Sequence, residues 1–280
     1  MKAGKGELWR RYRKSQAAMI GLVILSIIIF SAIFAEAIVP YSNGIKNTSD
    51  RLNPPSAEHF FGTDNFGRDV FARVIHGTKV SLALGIAATL IGTVIGGILG
   101  SISAYEGGVV DEVIMRMLDI VNGIPSLLLA MAIVAAFGNS MFNLLIAVSI
   151  SSVPGIARLV RSVVMTVAEE EFITAAHSYG CSDVRIIAKY ILPNAMGPII
   201  VTATMSIAGM ILEIAALSFL GLGIELPRPE WGAMLSEARN YMSAAPYLVY
   251  IPGVFIIITG IVINLVGDGL RDAFDPKLRD

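Results

Sequence analysis

One cysteine, Cys181, stands among 280 residues, which excludes an intramolecular disulfide and any metal site built from several thiolates. Charge is also scarce: 15% of residues are Asp, Glu, Lys or Arg, where a soluble globule carries about a quarter. The net charge of −1 offers no bulk basic field for nucleic acid. No G-x-x-x-x-G-K-[ST] loop is present, so the chain has no phosphate cradle with which to hydrolyse ATP alone. Internal repeats, low-complexity tracts and soluble domains are missing too. The remainder is apolar, 55% hydrophobic with a mean hydropathy of +0.70, which describes one polytopic, all-α integral membrane domain.

Six apolar segments are long enough to cross a bilayer with a hydrocarbon core of about 30 Å: 17–39, 80–104, 118–137, 141–164, 196–220 and 245–266. Residues 1–16 hold Lys2, Lys5, Arg10, Arg11, Arg13 and Lys14 against Glu7, which sets the N-terminus inside. With six crossings the C-terminal tail, 269–280, is inside as well. The first crossing and the polar stretch to residue 79 form one unit, and 80–268 form the core. On the outside, Asn53-Pro54-Pro55 fixes an extended segment, Asp64–Gly67 reads as a turn or helix start, and Phe60, Phe61, Phe66 and Phe71 pack it back onto the membrane domain. His59 and His76 lie there and read as ordinary polar residues, so no metal site is expected. Gly92, Gly96 and Gly100 put small residues on one face of the second span, where another helix can approach closely.

Three positions are pathway candidates. Pro125, after Gly123, kinks the third span and frees backbone groups that protein or water must satisfy. Glu213, in the outer half of the fifth span, is an ionisable group that lipid would penalise, and it either lines a path or glues helices together. Asn264 lies within the sixth. A short outer helix, Trp231–Met242, places its tryptophan at the membrane interface.

The loop 166–198, TVAEEEFITAAHSYGCSDVRIIAKYILPNAMGP, faces the cytoplasm between two spans. Thr166 and Glu169 form a capping box, with Glu170 and Glu171 in the first turn. Phe172, Ala175, Ala176 and Tyr179 share one face with little bulk at its centre. Gly180 ends the first helix, Ser182 or Asp183 starts the second, and Leu192-Pro193 stops it. On these residues alone, an amphipathic loop resting on lipid headgroups is an equal reading.

Ala175-Ala176, Gly180 four residues on and Leu192-Pro193 resemble the EAA loop of binding-protein-dependent ABC importer permeases, with Thr174 where that pattern has Glu and Tyr190 where it has Ile. The stretch Phe61–Leu82, F-G-T-D-x-x-G-R-D-V-x-x-R-x-I-x-G-x-x-x-S-L, resembles the dipeptide, oligopeptide and nickel branch of that family, as does Ser218–Gly232. The resemblance implies a type I importer permease arrangement of six helices with a cytoplasmic coupling helix. Glu170, Glu171, Phe172, Thr174, Ala175, Ala176, Tyr179, Gly180, Leu192 and Pro193 are then the contact with an ATPase. It also implies a homologous permease partner, two cytoplasmic ATPase subunits that hold the ATP and magnesium, an extracytoplasmic solute-binding protein and a bacterial or archaeal cytoplasmic membrane. The chain itself is not an enzyme and binds no cofactor. Small peptides are the implied cargo, with nickel or its chelates the alternative. An ion-coupled carrier and a membrane scaffold are the rivals from other classes; the first lacks its usual inverted repeat here.

Overall fold

A computed structural model describes residues 5–41, 50–224 and 227–274. Of the expected cytoplasmic tail, residues 275–280 lie outside the described residues, as does Lys2 of the basic N-terminus.

The helices are α1 (Lys5–Tyr12), α2 (Gln16–Ile33), α3 (Ala35–Ile38), α4 (Val70–Glu106), α5 (Gly108–Asn122), α6 (Ser126–Phe137), α7 (Met141–Ala168), α8 (Glu171–Ser178), α9 (Asp183–Ile186), α10 (Leu192–Phe219), α11 (Trp231–Ala238) and α12 (Tyr247–Phe274). Side-chain caps start three of the long ones: Ser15 on α2, Asp69 on α4 and Ser140 on α7 each accept a bond from a first-turn N–H. Five spans are continuous and long enough to cross a membrane. The third expected span is not one helix. The chain breaks between α5 and α6 and turns by 84°, because Pro125 has no N–H to give and adopts ψ 131°, outside the helical range. What the sequence suggests as a kink is a full break between two separate helices.

Helix α4 packs along α7 through the small residues of the second span. A Cβ on Gly100 would stand 2.3 Å from the Ala157 carbonyl oxygen, and one on Gly96 2.9 Å from Ile156 Cβ, so these positions admit no side chain. One core joins α2, α4, α10, α11 and α12 around Trp231, Leu82, Ile211 and Ile256. A second fills the space between α4, α6, α7 and α10. A third lies at the loop end, where Val160 and Val164 of α7 meet Ile173, Ile186, Ile191 and Ala195.

At the other end sits a polar cap. Asp64 accepts from Arg68 Nε at 2.6 Å and Arg73 Nη1 at 2.8 Å, and Glu237 takes Arg68 Nη2 at 2.8 Å and lies 2.5 Å from Arg73 Nη1. Arg73 and Asp64 are almost wholly buried. Burial works against the Arg68 charge, but Glu237 and Asp64 outweigh it and push its pKa up. Tyr247 Oη donates to the carbonyls of Asn53 and Thr63 at 2.9 Å, tying the extended segment to α12. Phe61 packs edge-on against Phe71 and Phe255, as the aromatic pattern suggests. Trp231, expected at the membrane interface, is instead fully buried, and its Nε1 donates to the Val74 carbonyl at 3.2 Å. Glu230 caps α11 by accepting from Gly232 N and Ala233 N at 2.8 Å each, and burial pushes its carboxyl up.

Candidate functional site

The loop 166–198 is held from inside and open outside. Helix α7 runs on to Ala168, so Thr166 is in its last turn with its hydroxyl on the Ser162 carbonyl. The expected capping box does not form, because Val163, Val164 and Val167 continue to bury a face against the third core. Glu170 takes the N-cap position of α8 in extended backbone, without a side-chain bond. Ile173 and Ala176 point inward and are buried. Ala176 therefore does not share an outward face with Phe172, Ala175 and Tyr179, all three of which are exposed along with Glu171 and Thr174. Tyr179 is 87% exposed.

Gly180 ends α8 as expected. Its φ of +71° suits a residue without Cβ, and the bonds Gly180 N to His177 O and Cys181 N to Ala176 O complete a Schellman cap. Ser182 begins α9 through its backbone alone. Leu192-Pro193 does not stop the chain: Ile187–Ile191 form a π turn that widens the helix, Pro193 falls in the first turn of α10, and Asp183–Phe219 make one continuous span. Tyr105 at the end of α4 fastens the loop to the bundle: its Oη donates to Asp183 Oδ1 at 2.6 Å and its ring stacks on His177. Behind the loop, Arg161 of α7 grips Asp111 of α5 through both Nε and Nη2.

The pathway candidates fall partly together. Glu213 on α10 is half-buried, and its Oε1 accepts from Ser151 Oγ of α7 at 3.3 Å, with the Ser126 hydroxyl beside it. Ser126 is the first residue of α6, so Glu213 and Pro125 flank the same break. Asn264 is on an exposed face of α12, and no hydrogen bond joins it to this group. Below the break, Arg158 Nη1 stands 3.4 Å from Asp119 Oδ1. His59 Nδ1 meets Asp69 at 2.8 Å and His76 Nε2 the Val39 carbonyl at 2.9 Å; among the described residues no three His, Cys, Asp or Glu side chains converge on a metal position. The buried cap of Asp64, Arg68, Arg73 and Glu237 went unread in the sequence, although the D-x-x-x-R-x-x-x-x-R spacing carried it. For the Tyr105–Asp183 pair, 78 residues apart, no local signal existed.

A polytopic bundle with a packed helix exposed at one end and an 84° break between two apolar helices is an architecture that a membrane permease can have. The chain belongs to the binding-protein-dependent transport system inner membrane component family, whose pattern matches residues 77–280; residues 6–55 match the N-terminal transmembrane domain of oligopeptide transport permease C. It is 47% identical to the dipeptide transport system permease protein DppC of Alkalihalophilus pseudofirmus over 98% of this chain and 90% of that one. The glutathione transport system permease protein GsiD of Escherichia coli is 45% identical over the same shares. The di/tripeptide transport system permease protein DppC of Pseudomonas aeruginosa is 41% identical over 98% and 92%. An inward-facing structure of the MetNI methionine ABC transporter superposes with a TM-score of 0.60 at 18% identity, covering 73% of this chain and 98% of that one, which establishes the type I importer permease fold.

Proposed function

We propose that this chain forms one half of the translocation pathway of an ATP-driven importer for small peptides, with a homologous permease as the other half. Two cytoplasmic ATPases hold the ATP and magnesium, one of them docking on α8, and an extracytoplasmic binding protein delivers the cargo. The chain itself carries no ATP chemistry and binds no cofactor. The N- and C-termini face the cytoplasm of a bacterial or archaeal cell. Identity of 41 to 47% to permeases of dipeptide, di/tripeptide and glutathione systems supports peptides over nickel as cargo.

The observation that carries the docking role is the division of α8 into two faces. Ile173 and Ala176 fix it to the bundle, so Phe172, Ala175 and Tyr179 are presented as a rigid surface with little bulk at Ala175. Closure of the ATPases then displaces α8, and the permeases alternate between inward- and outward-facing states. Purification of the subunit from mild detergent, followed by a search for a co-purifying ATPase, tests this reading. Ala175→Trp abolishes that association while the chain remains inserted and folded. An ATPase retained by the variant, or none bound to the native chain, removes α8 as the docking element. Ala176 is the wrong position for this probe, because bulk there breaks the inner packing first.

A further inference from the structure

The half-buried to exposed faces of α7 and α10 beside the break carry a stripe of polar and small groups. On α7 they are Ser151, Gly155, Arg158 and Ser162; on α10, Thr202, Ser206, Gly209 and Glu213. Two ionisable groups of opposite sign mark the ends of this surface. Glu213 is joined to Ser151, and Arg158 lies seven residues further along α7, on the same face and about 10 Å away along the axis. The 84° break passes between them, since Asp119 precedes it and touches Arg158 while Ser126 follows it and touches Glu213. Charged groups and non-helical backbone at such a place require water or a polar ligand.

We infer that Glu213 and Arg158 form a bipolar subsite for a zwitterionic peptide, Glu213 taking the cargo's α-ammonium group and Arg158 its α-carboxylate. The inference rests on the peptide reading above. An extended dipeptide spans about 7 Å and a tripeptide about 10 Å, which the separation accommodates, the more so because helical side chains lean toward the N-terminal end and so carry Arg158 toward Ser151. Arg158 makes a single long contact with Asp119, and both side chains are substantially exposed, at 41% and 54%. The remaining edge of the guanidinium fork therefore suits a carboxylate in bidentate geometry. Glu213 holds hydroxyls rather than a cation, which leaves its charge for an incoming ammonium group.

The test uses the assembled permease–ATPase complex in detergent without binding protein, titrated by saturation-transfer NMR with Ala-Ala, N-acetyl-Ala-Ala and Ala-Ala amide. The native complex binds Ala-Ala at least about tenfold more tightly than either blocked peptide, a difference of about 1.4 kcal/mol or more. Glu213→Gln erases the penalty for the acetyl group and keeps that for the amide; Arg158→Gln does the reverse, and Glu213→Asp restores the N-terminal preference. Helix packing alone gives no such crossed pattern. Variants that keep both penalties, or a native complex indifferent to blocking, overturn the subsite while leaving peptide transport standing. Absence of peptide uptake by the complete system in proteoliposomes overturns the peptide reading and the subsite with it.

Discussion

The two ends of this bundle use charge in opposite ways. At the cap, Asp64, Arg68, Arg73 and Glu237 neutralise one another in near-complete burial. At the loop, Arg161 and Asp111 fasten the helices from behind, while Glu171, Phe172, Ala175 and Tyr179 are left to solvent. Buried charges that neutralise each other define a shape and leave little for a partner to recognise, although Arg73 Nε and Nη2 make no hydrogen bond there. An exposed aromatic beside an alanine, on a helix pinned from within, is the kind of surface the proposed ATPase contact calls for. The cap is therefore a structural closure, although it holds the larger number of charged side chains in direct contact, and the loop has the open surface that the proposed coupling role requires.

Substitutions separate the two ends, beginning with the largest effect. Asp64→Asn removes the shared counter-charge of two buried arginines, and breaking a buried pair from one side costs about 3–5 kcal/mol. Thermal unfolding in detergent drops accordingly, and an unchanged melt contradicts a self-contained cap. Gly180→Val meets no atom within 4 Å but must hold φ +71°, a strain of about 1–2 kcal/mol. It leaves membrane insertion and the cap intact and depresses peptide uptake; normal uptake shows that the geometry of this turn is irrelevant to coupling. Tyr105→Phe deletes the bond to Asp183, worth about 0.5–1.5 kcal/mol net. Its signature is faster amide exchange confined to α8 and α9, with the cap unaffected, and exchange that stays slow there means the stacked ring is sufficient.

Hydropathy located every continuous span, because membrane crossing is a property of twenty-residue composition. The ends of those spans were less legible. Thr166 and Glu169 have the spacing of a capping box, but packing of Val163, Val164 and Val167 extends α7 past them, a case of tertiary burial overriding a local signal worth about 1 kcal/mol. Leu192-Pro193 reads as a stop, yet a π turn absorbs the ring. Trp231 looked like an interface anchor because its partners Val74 and Phe255 are distant in sequence. The sequence marks Glu213 as an ionisable group within a span, whereas its relation to Ser126, Ser151 and the break needs three dimensions.

The π turn has a mechanical consequence. Because it lets α9 continue into α10, Asp183–Phe219 is a single rod of 37 residues, about 55 Å long at 1.5 Å per residue. Asp183, at its loop end, is tied to Tyr105 next to α8, and Glu213 lies near its far end. A rotation of about 5° about the loop end displaces the far end by roughly 5 Å at this length, so under the proposed coupling a small turn of the rod at α8 becomes a movement of several ångström beside Glu213.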